Sequence, residues 1–381
     1  MGLTHVPPQD LAPRLTGLAL SSIPVPTGTE EEWRFTPLER LGGLERAVSA
    51  TGFADWKIDV PAEVAVESLP TDIAGFVSAD RISVAAITNA QYAIAITVPA
   101  GAELPEPLVL AHHGAVDALT YSHVTINVGD HATCTIVIDF TGSGTHATTV
   151  ELVTGNGAHA TLVHVADGER DQVLAGQQHL RIGRDATVDH VAITLGGDLV
   201  REVTTVAYEG PGGSVDALGV YFTDAGQHHE HRLFVDHAVP HCRSNVVYKG
   251  ALQGDDAHAV WVGDVFIRAA GTQIETYEIN RNLVLTDGAR VDSVPNLEIE
   301  TGNVTSAGHA STTGRFDEDQ LFYLTSRGIP EIEAKRLVVR GFIRDVVARI
   351  PGDALRDRLE RRVEQRLGVH DARFDFADGD E

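Results

Sequence analysis

The sequence is poor in cysteine, in methionine and in positive charge. Its 381 residues include two cysteines and one methionine, and 54 Asp and Glu residues outnumber 29 Lys and Arg residues, for a net charge of −25. Cys134 and Cys242 are too few for a disulfide framework and form no CxxC pair. A surface this acidic repels phosphate backbones and anionic lipids. The sequence therefore predicts neither a nucleic-acid partner nor a membrane partner.

Long apolar runs are missing as well. No stretch approaches the roughly 18 uninterrupted apolar residues of a membrane-spanning helix. The first residues, MGLTHVPPQDLAPRL, lack a basic start followed by an apolar run. With 43% hydrophobic and 22% charged residues, the composition is typical of a globular protein. We expect a soluble protein of the reducing cytoplasm.

Residues 1–60 are rich in proline and predict a helical or irregular N-terminal segment. Its most distinctive part is GTEEEWRFTPL, residues 28–38. Thr29 is predicted to cap a short helical turn, because the glutamates that follow it favour the positive end of a helix dipole. Trp33 and Phe35 are predicted to anchor this segment on the rest of the protein.

Residues 61–315 change to short runs of Val, Ile, Thr and Ala broken by Gly, Asp and Asn. In residues 122–128, apolar side chains alternate with polar ones, which is the pattern of a half-buried strand. Regularly spaced turn signals fit a sandwich, a barrel or a β-solenoid. Small residues at inward positions, such as Cys134 and Ala160, favour a narrow, tightly stacked interior.

Residues 316–381 predict three amphipathic helices. Asp317 begins a capping box, and Gly328 is expected to end the first helix in the left-handed conformation. Pro330 is suited to open the second helix. The third carries leucine and valine at i+4 spacing. We expect the apolar stripes to cover either the β-rich body or another chain.

Histidines are concentrated in GQHHEHRLFVDHAVPHC. His229 and His231 share one face of a strand, and an HxH pair is a common half-site for a divalent metal. Followed by Asp236, the pair resembles the first metal motif of a cupin, although no second motif follows, and a metal centre here would use His229, His231 and His237. A metal-dependent, cupin-like enzyme is therefore the alternative function, and inter-strand histidines are the simpler interpretation.

Other catalytic signals are missing from the sequence. It contains no GxSxG element and no GxxxxGK[ST] nucleotide loop. Cys134 lies on the apolar face of a predicted strand and is interpreted as a small buried hydrophobe. Cys242 has Arg243 beside it, which favours a thiolate, but an inert packed thiol is the preferred interpretation. We expect no catalytic residues.

The C-terminal half contains a series of motifs: DHAVPHCRSNVVYKGAL (236–252), INRNLVLTDGARVDSVPNLEIE (279–300), GHASTTGRFDEDQLFYLTSRGIPE (308–331) and AKRLVVRGF (334–342). In this order they are similar to motifs of the SufB/SufD family of iron–sulfur cluster assembly proteins. Residues 28–38 resemble the N-terminal element of the SufD branch. The short chain and its few cysteines also make it most like SufD.

The resemblance implies a right-handed parallel β-helix, residues 61–315, between helical terminal segments. It also implies a non-enzymatic scaffold subunit that pairs with a SufB-like subunit and binds a SufC-like ATPase. The ATPase is expected to dock on the C-terminal helices, and the docking region includes Arg327, Gly328, Ile329 and Pro330. In isolation, without the SufB-like subunit, a homodimer is the expected alternative.

The family motif CSHGAT maps onto residues 307–312. His309 falls on the family histidine of the SufB–SufD interface, which implies a metal role in a transient iron–sulfur site shared with the partner. Ala307 replaces the motif cysteine. No cofactor is expected to bind the isolated chain tightly. For the other motif residues we predict structural roles: side-chain ladders for Asn280, Asn282 and Asn296, packing for Tyr248 and Tyr323, and partner-facing positions for Glu298 and Glu300.

Overall fold

The computed structural model describes residues 17, 19–71, 75, 78–315, 318–350 and 352–369. About half of it, 49%, is β-strand, wound into a parallel solenoid of about 8 turns. The predicted capping residue Asp317 lies outside the described residues. Within the described ranges, no helix is long and apolar enough to cross a membrane.

The strands form two nine-stranded sheets that face each other across the core. The first sheet contains β1 (Trp56–Asp59), β4 (Leu108–Gly114), β6 (Thr133–Gly142), β8 (His159–Ala166), β10 (Thr187–Thr194), β12 (Ser214–Thr223), β14 (Arg243–Leu252), β16 (Ile274–Val284) and β18 (Val304–Arg315). The second contains β2 (Ala65–Leu69), β3 (Ala93–Val98), β5 (Leu119–Val128), β7 (Thr145–Thr154), β9 (Val173–Ile182), β11 (Leu199–Tyr208), β13 (His228–His237), β15 (His258–Ile267) and β17 (Arg290–Ile299).

Each turn of the solenoid places one strand in each sheet, so that residues one turn apart are parallel partners. Along the first sheet, Cys134 pairs with Ala160, Ala160 with Val188, and Val188 with Val215. All four side chains are buried inside the coil. Small and β-branched residues fit this position because the two sheets lie close together. The solenoid expectation is thereby confirmed over the sandwich and the barrel.

The N-terminal segment covers the outer face of the second sheet. It consists of turns and three short 3₁₀ helices, Leu20–Ser22, Leu38–Arg40 and Leu44–Arg46, followed by α1 (Arg81–Asn89). Residues 31–35 form hydrogen-bonded turns, with the Trp33 N–H donating to the Glu30 carbonyl at 2.9 Å. The predicted cap is wrong, because the Thr29 hydroxyl pairs with that of Thr27 and the carboxylate of Glu30 accepts the Thr27 N–H at 3.0 Å. Trp33 is a buried anchor as predicted, whereas Phe35 is half-buried.

Three helices follow the solenoid: α2 (Glu318–Ser326), α3 (Glu331–Val347) and α4 (Asp353–Val369). The apolar face of α3 packs on the outer face of the first sheet, where Val339 and Ile343 join a buried cluster with Val191 and Phe222. Ion pairs hold α4 beside it, among them Arg362 with Asp167 at 2.6 Å. The stripes of α3 and α4 therefore cover this chain's own solenoid.

The two ends of the solenoid differ. At the N-terminal end, the short strands β1 and β2 pair antiparallel with β4 and β3 and close both sheets. At the other end, β18 and β17 are the outermost strands of their sheets. No described segment pairs with their outer edges. Since unpaired edges of 12 and 10 residues are templates for strand pairing, this end is the more exposed to a partner.

Candidate functional site

His309 lies on β18, the last strand of the first sheet. It is the direct parallel partner of Glu278 on β16, so the two side chains point to the same face of the first sheet. No further turn covers β18 in the described chain, and the His309 side chain is 42% exposed. The imidazole is therefore both accessible from outside and adjacent to the end of the core.

Glu278 is the unusual residue of this site. Its side chain is fully buried, and neither carboxylate oxygen has a hydrogen-bond partner. Oε1 lies 3.7 Å from Nδ1 of His309. Burial, with a smaller contribution from the charge of Asp264, raises the pKa of Glu278 to about 8. Gly263 leaves the space for it, because a Cβ atom at that position would lie 2.4 Å from Oε2.

A hydrogen-bonded network extends from this end into the core. The Ser311 hydroxyl donates to Ser293 at 2.8 Å, and Ser293 donates to Oδ1 of Asn280 at 2.7 Å. Asn282 also donates to Oδ1 of Asn280, and Asn280 donates to the Tyr221 hydroxyl at 3.0 Å. Asn280 and Asn282 thus bond each other along one strand, whereas the predicted ladder would join successive turns. The network crosses between β17 and the strands of the first sheet and so connects both sheets at the open end.

The remaining predicted structural roles have different outcomes. Asn296 donates to Oδ1 of Asp264 at 2.7 Å, and this interaction joins two adjacent turns. Tyr248 is buried as predicted. The packing role of Tyr323 is wrong, because this side chain is 55% exposed on α2.

Neither thiol is placed for chemistry. Cys134 and Cys242 are both buried inside the solenoid. Burial raises the pKa of Cys134 to about 12 and that of Cys242 to about 11. The neighbouring Arg243 therefore does not produce a thiolate, and the packed-thiol interpretation is confirmed. Any thiolate at the open end has to come from another protein.

The histidines of the cupin-like motif do not form a metal centre. His229, His231 and His237 are all buried on β13. His237 is six residues beyond His231 on the same extended strand, which separates them by about 20 Å. Asp236 faces outward and pairs with Arg268 at 2.9 Å. Among the residues that the structure describes, no group of three or more His, Cys, Asp or Glu side chains is arranged to hold a metal ion.

A charged cluster on the outside of the second sheet was not recognised in the sequence. Arg201 is fully buried, pairs with Asp80 at 2.6 Å, and places its guanidinium 3.8 Å from the ring centre of Trp33. Glu230 accepts the Thr36 hydroxyl at 2.7 Å. These contacts join the N-terminal segment to β11 and β13. They are long-range in sequence, so no local pattern could have indicated them.

The predicted docking region is the junction of α2 and α3. Arg327, Gly328 and Pro330 are exposed, and Ile329 is half-buried. Gly328 has a φ of 82° and its N–H donates to the Thr325 carbonyl, which confirms the predicted helix stop. Phe322, on the preceding α2, is 73% exposed. The guanidinium of Arg327 lies 4.8 Å from the ring centre of Tyr323 on the same helix.

Comparisons with known proteins agree with this description. The family described as "SUF system FeS cluster assembly, SufBD core domain" matches residues 111–342. An iron–sulfur cluster assembly SufBD family protein from Mycobacterium bovis is 47% identical over 357 residues, covering 91% of this chain and 90% of its own. A Mycobacterium leprae member of that family is 44% identical over 361 residues, covering 92% of each chain.

More distant relatives carry the name SufD. The iron–sulfur cluster assembly protein SufD of Bacillus subtilis is 28% identical over 278 residues, covering 71% of this chain and 63% of its own. The SufD of Escherichia coli is 27% identical over 188 residues, covering 49% and 44%. The resemblance read from the motifs is thus confirmed, and the chain belongs to the SufBD family of iron–sulfur cluster assembly proteins.

Proposed function

We propose that this protein is a non-catalytic scaffold subunit of an iron–sulfur cluster assembly complex, in which its open solenoid end pairs with a SufB-like subunit. The observation that carries this proposal is the asymmetry of the two ends. Short antiparallel strands close one end, whereas β17 and β18 leave long edges without a partner in the described chain. Soluble proteins rarely leave such edges unprotected. A second solenoid that continues the two sheets satisfies them.

The nascent cluster is the cargo of this interface, and His309 is its contact on this chain. The imidazole is exposed on β18 within the surface that the partner would cover. Neutral imidazole is a good ligand for iron, and clusters are otherwise held by thiolates. Because both cysteines of this chain are buried, with raised pKa values, the thiolates have to come from the SufB-like partner. Because this chain would hold the cluster through one imidazole only, the site is suited to releasing the finished cluster.

Nucleotide hydrolysis belongs to another subunit in this proposal, since the sequence has no phosphate-binding loop. The SufC-like ATPase docks on α2 and on the turn formed by residues 327–330. The apolar faces of α3 and α4 are already used against the solenoid, whereas α2 exposes Phe322 and Tyr323. Movement of the docked ATPase would pass through α3 to the first sheet, because α3 packs directly on it.

Affinity purification tests this assembly. The tagged full-length chain is recovered from its native cells, and the co-purifying proteins are identified by mass spectrometry. We expect a SufB-like subunit and an ATPase with a phosphate-binding loop in stoichiometric amounts. Recovery of the chain alone or as a homodimer only, under conditions where both candidate partners are expressed, would contradict the proposal. Reconstitution of the same complex with iron and sulfide then measures cluster formation.

A further inference from the structure

We propose that Glu278 is a second iron ligand beside His309, so that this chain contributes a histidine–carboxylate half-site that receives a ferrous ion. This inference rests on the proposed function, because it gives the metal site of the open end its second ligand. It extends that function in two respects. It assigns a residue outside the family motif around His309, and it names mononuclear ferrous iron as the species that this side of the interface binds first.

The first argument is the isolation of the Glu278 carboxylate. A buried carboxylate normally has hydrogen-bond donors or a cation beside it, because removing it from water without them is costly. Both oxygens of Glu278 lack a hydrogen-bond partner, although its side chain is completely buried. Gly263, on β15 of the facing sheet, leaves room for both the Trp261 ring and this carboxylate, because a Cβ atom there would lie 2.3 Å from the ring and 2.4 Å from Oε2. The fold therefore keeps space for a buried acid that makes no hydrogen bond.

The second argument is the distance between Glu278 and His309. Oε1 of Glu278 lies 3.7 Å from Nδ1 of His309, which is too far for a hydrogen bond. Two ligand atoms that share one tetrahedral metal, each at about 2.1 Å from it, are separated by about 3.4 Å. The observed separation is near this value without a metal present. Small side-chain rotations suffice to bring both atoms onto one ion.

The third argument is the chemistry of the pair. A carboxylate is a harder ligand than a thiolate, and the combination of imidazole and carboxylate is typical of non-haem ferrous sites rather than of complete iron–sulfur clusters. Two ligands leave most coordination positions open to water or to partner side chains. The half-site thus fits a ferrous ion that is bound before sulfide arrives.

The test uses the full-length chain alone, titrated anaerobically with Co²⁺ as a spectroscopic substitute for Fe²⁺. The d–d absorption reports the ligands directly, and no cluster assembly is required. We expect Glu278→Gln and His309→Ala each to weaken Co²⁺ binding at least tenfold and to change the d–d spectrum. The double variant should be little worse than either single variant, because both remove the same site. Glu278→Asp should recover part of the affinity.

Two controls make the result decisive. Glu275→Gln changes an exposed glutamate on the same strand and should leave Co²⁺ binding unchanged. Thermal unfolding should show that Glu278→Gln folds at least as stably as the wild type, because a neutral amide replaces an unpartnered buried acid. Unchanged binding in Glu278→Gln, with weaker binding in His309→Ala, would overturn the role of Glu278 and leave the proposed function intact. A cluster yield that does not respond to His309→Ala, or a purified chain that recovers no SufB-like partner, would instead count against the proposed function.

Discussion

Nδ1 of the partly exposed His309 lies 3.7 Å from Oε1 of the fully buried Glu278. The two residues are 31 positions apart in sequence and are brought together by one turn of the solenoid. This juxtaposition joins the accessible surface of the open end to a polar part of the core.

The His309→Ala substitution tests the cargo site. We expect assembly with the SufB-like subunit and the ATPase to persist, and cluster yield on the complex to fall at least fivefold. Because the side chain is partly exposed on an edge strand, the free energy of unfolding should change by no more than about 0.5 kcal/mol. Cluster yield is measured by visible absorption after reconstitution with iron and sulfide.

His159→Ala is the matched control for this prediction. His159 is also a strand histidine beside a carboxylate, 51% exposed and 3.0 Å from Asp189, but on β8 in the middle of the solenoid. It should leave the cluster yield at the wild-type value. Equal yields from the wild type and both alanine variants would remove His309 from the site.

The Phe322→Ser substitution tests the docking surface on α2. Phe322 is 73% exposed, so a serine there should fold normally and remove an apolar contact with the ATPase. Central aromatic contacts in interfaces are often worth 2 kcal/mol or more, and we expect the Kd for the SufC-like ATPase to rise at least tenfold. Isothermal titration of the purified chains measures it.

Phe53→Ser provides the comparison, because Phe53 is equally exposed, at 75%, but belongs to the N-terminal segment. Its Kd for the ATPase should equal that of the wild type. A tenfold loss in Phe53→Ser with none in Phe322→Ser would move the docking surface away from α2. The same titration with Arg327→Glu tests the turn that follows the helix.

The Arg201→Met substitution tests what holds the N-terminal segment. Arg201 is buried, and its removal leaves Asp80 without its cation and Trp33 without its stacking guanidinium. Breaking a buried ion pair from one side costs about 3–5 kcal/mol in the free energy of unfolding. Urea unfolding monitored by Trp fluorescence measures the loss. Arg34→Met, which alters an exposed arginine stacked on Phe35, should cost no more than about 0.5 kcal/mol.

Stability should also depend on the buried histidines of the core. Burial lowers the pKa of His190 to about 3, below the value of 6.5 that it has in the unfolded chain. Between these values the unfolded state binds more protons, so stability is fully present above pH 6.5 and is lost as the pH falls. Burial also lowers the pKa of His146 and of His231, so both contribute to the same loss of stability at low pH. We therefore expect a steep loss of stability on acidification.

Replacing one of these histidines measures its contribution to the pH dependence of stability. His190 shares a hydrogen bond with Oε1 of Gln178 at 2.8 Å, and glutamine can donate the same bond without titrating. From pH 7 to pH 5, His190→Gln should lose about 2 kcal/mol less stability than the wild type, measured by urea unfolding. His159→Gln, at an exposed position, should follow the wild type. A His190→Gln curve parallel to the wild type would show that His190 is not held neutral by burial.

Local sequence patterns predicted the secondary-structure elements better than they predicted the contacts between those elements. Alternation in residues 122–128 and the helix stop at Gly328 depend on short-range geometry, and both are correct. The cap at Thr29 failed because Glu30 takes that role through its carboxylate, while Trp33 is held by its long-range stacking with Arg201. The HxH pair at His229 and His231 suggested a metal, but the strand points both rings into the core.

The sequence by itself determined an acidic protein with a β-rich body, a helical C-terminal segment and the family motifs. It could do so because composition, alternation and turn residues act over a few positions. Only the tertiary structure decided which end of the solenoid is closed, which helix remains exposed and which acid lies beside His309. Glu278 follows no motif and has no local signal. Its position depends on the stacking of successive turns, which brings residues about thirty positions apart into register.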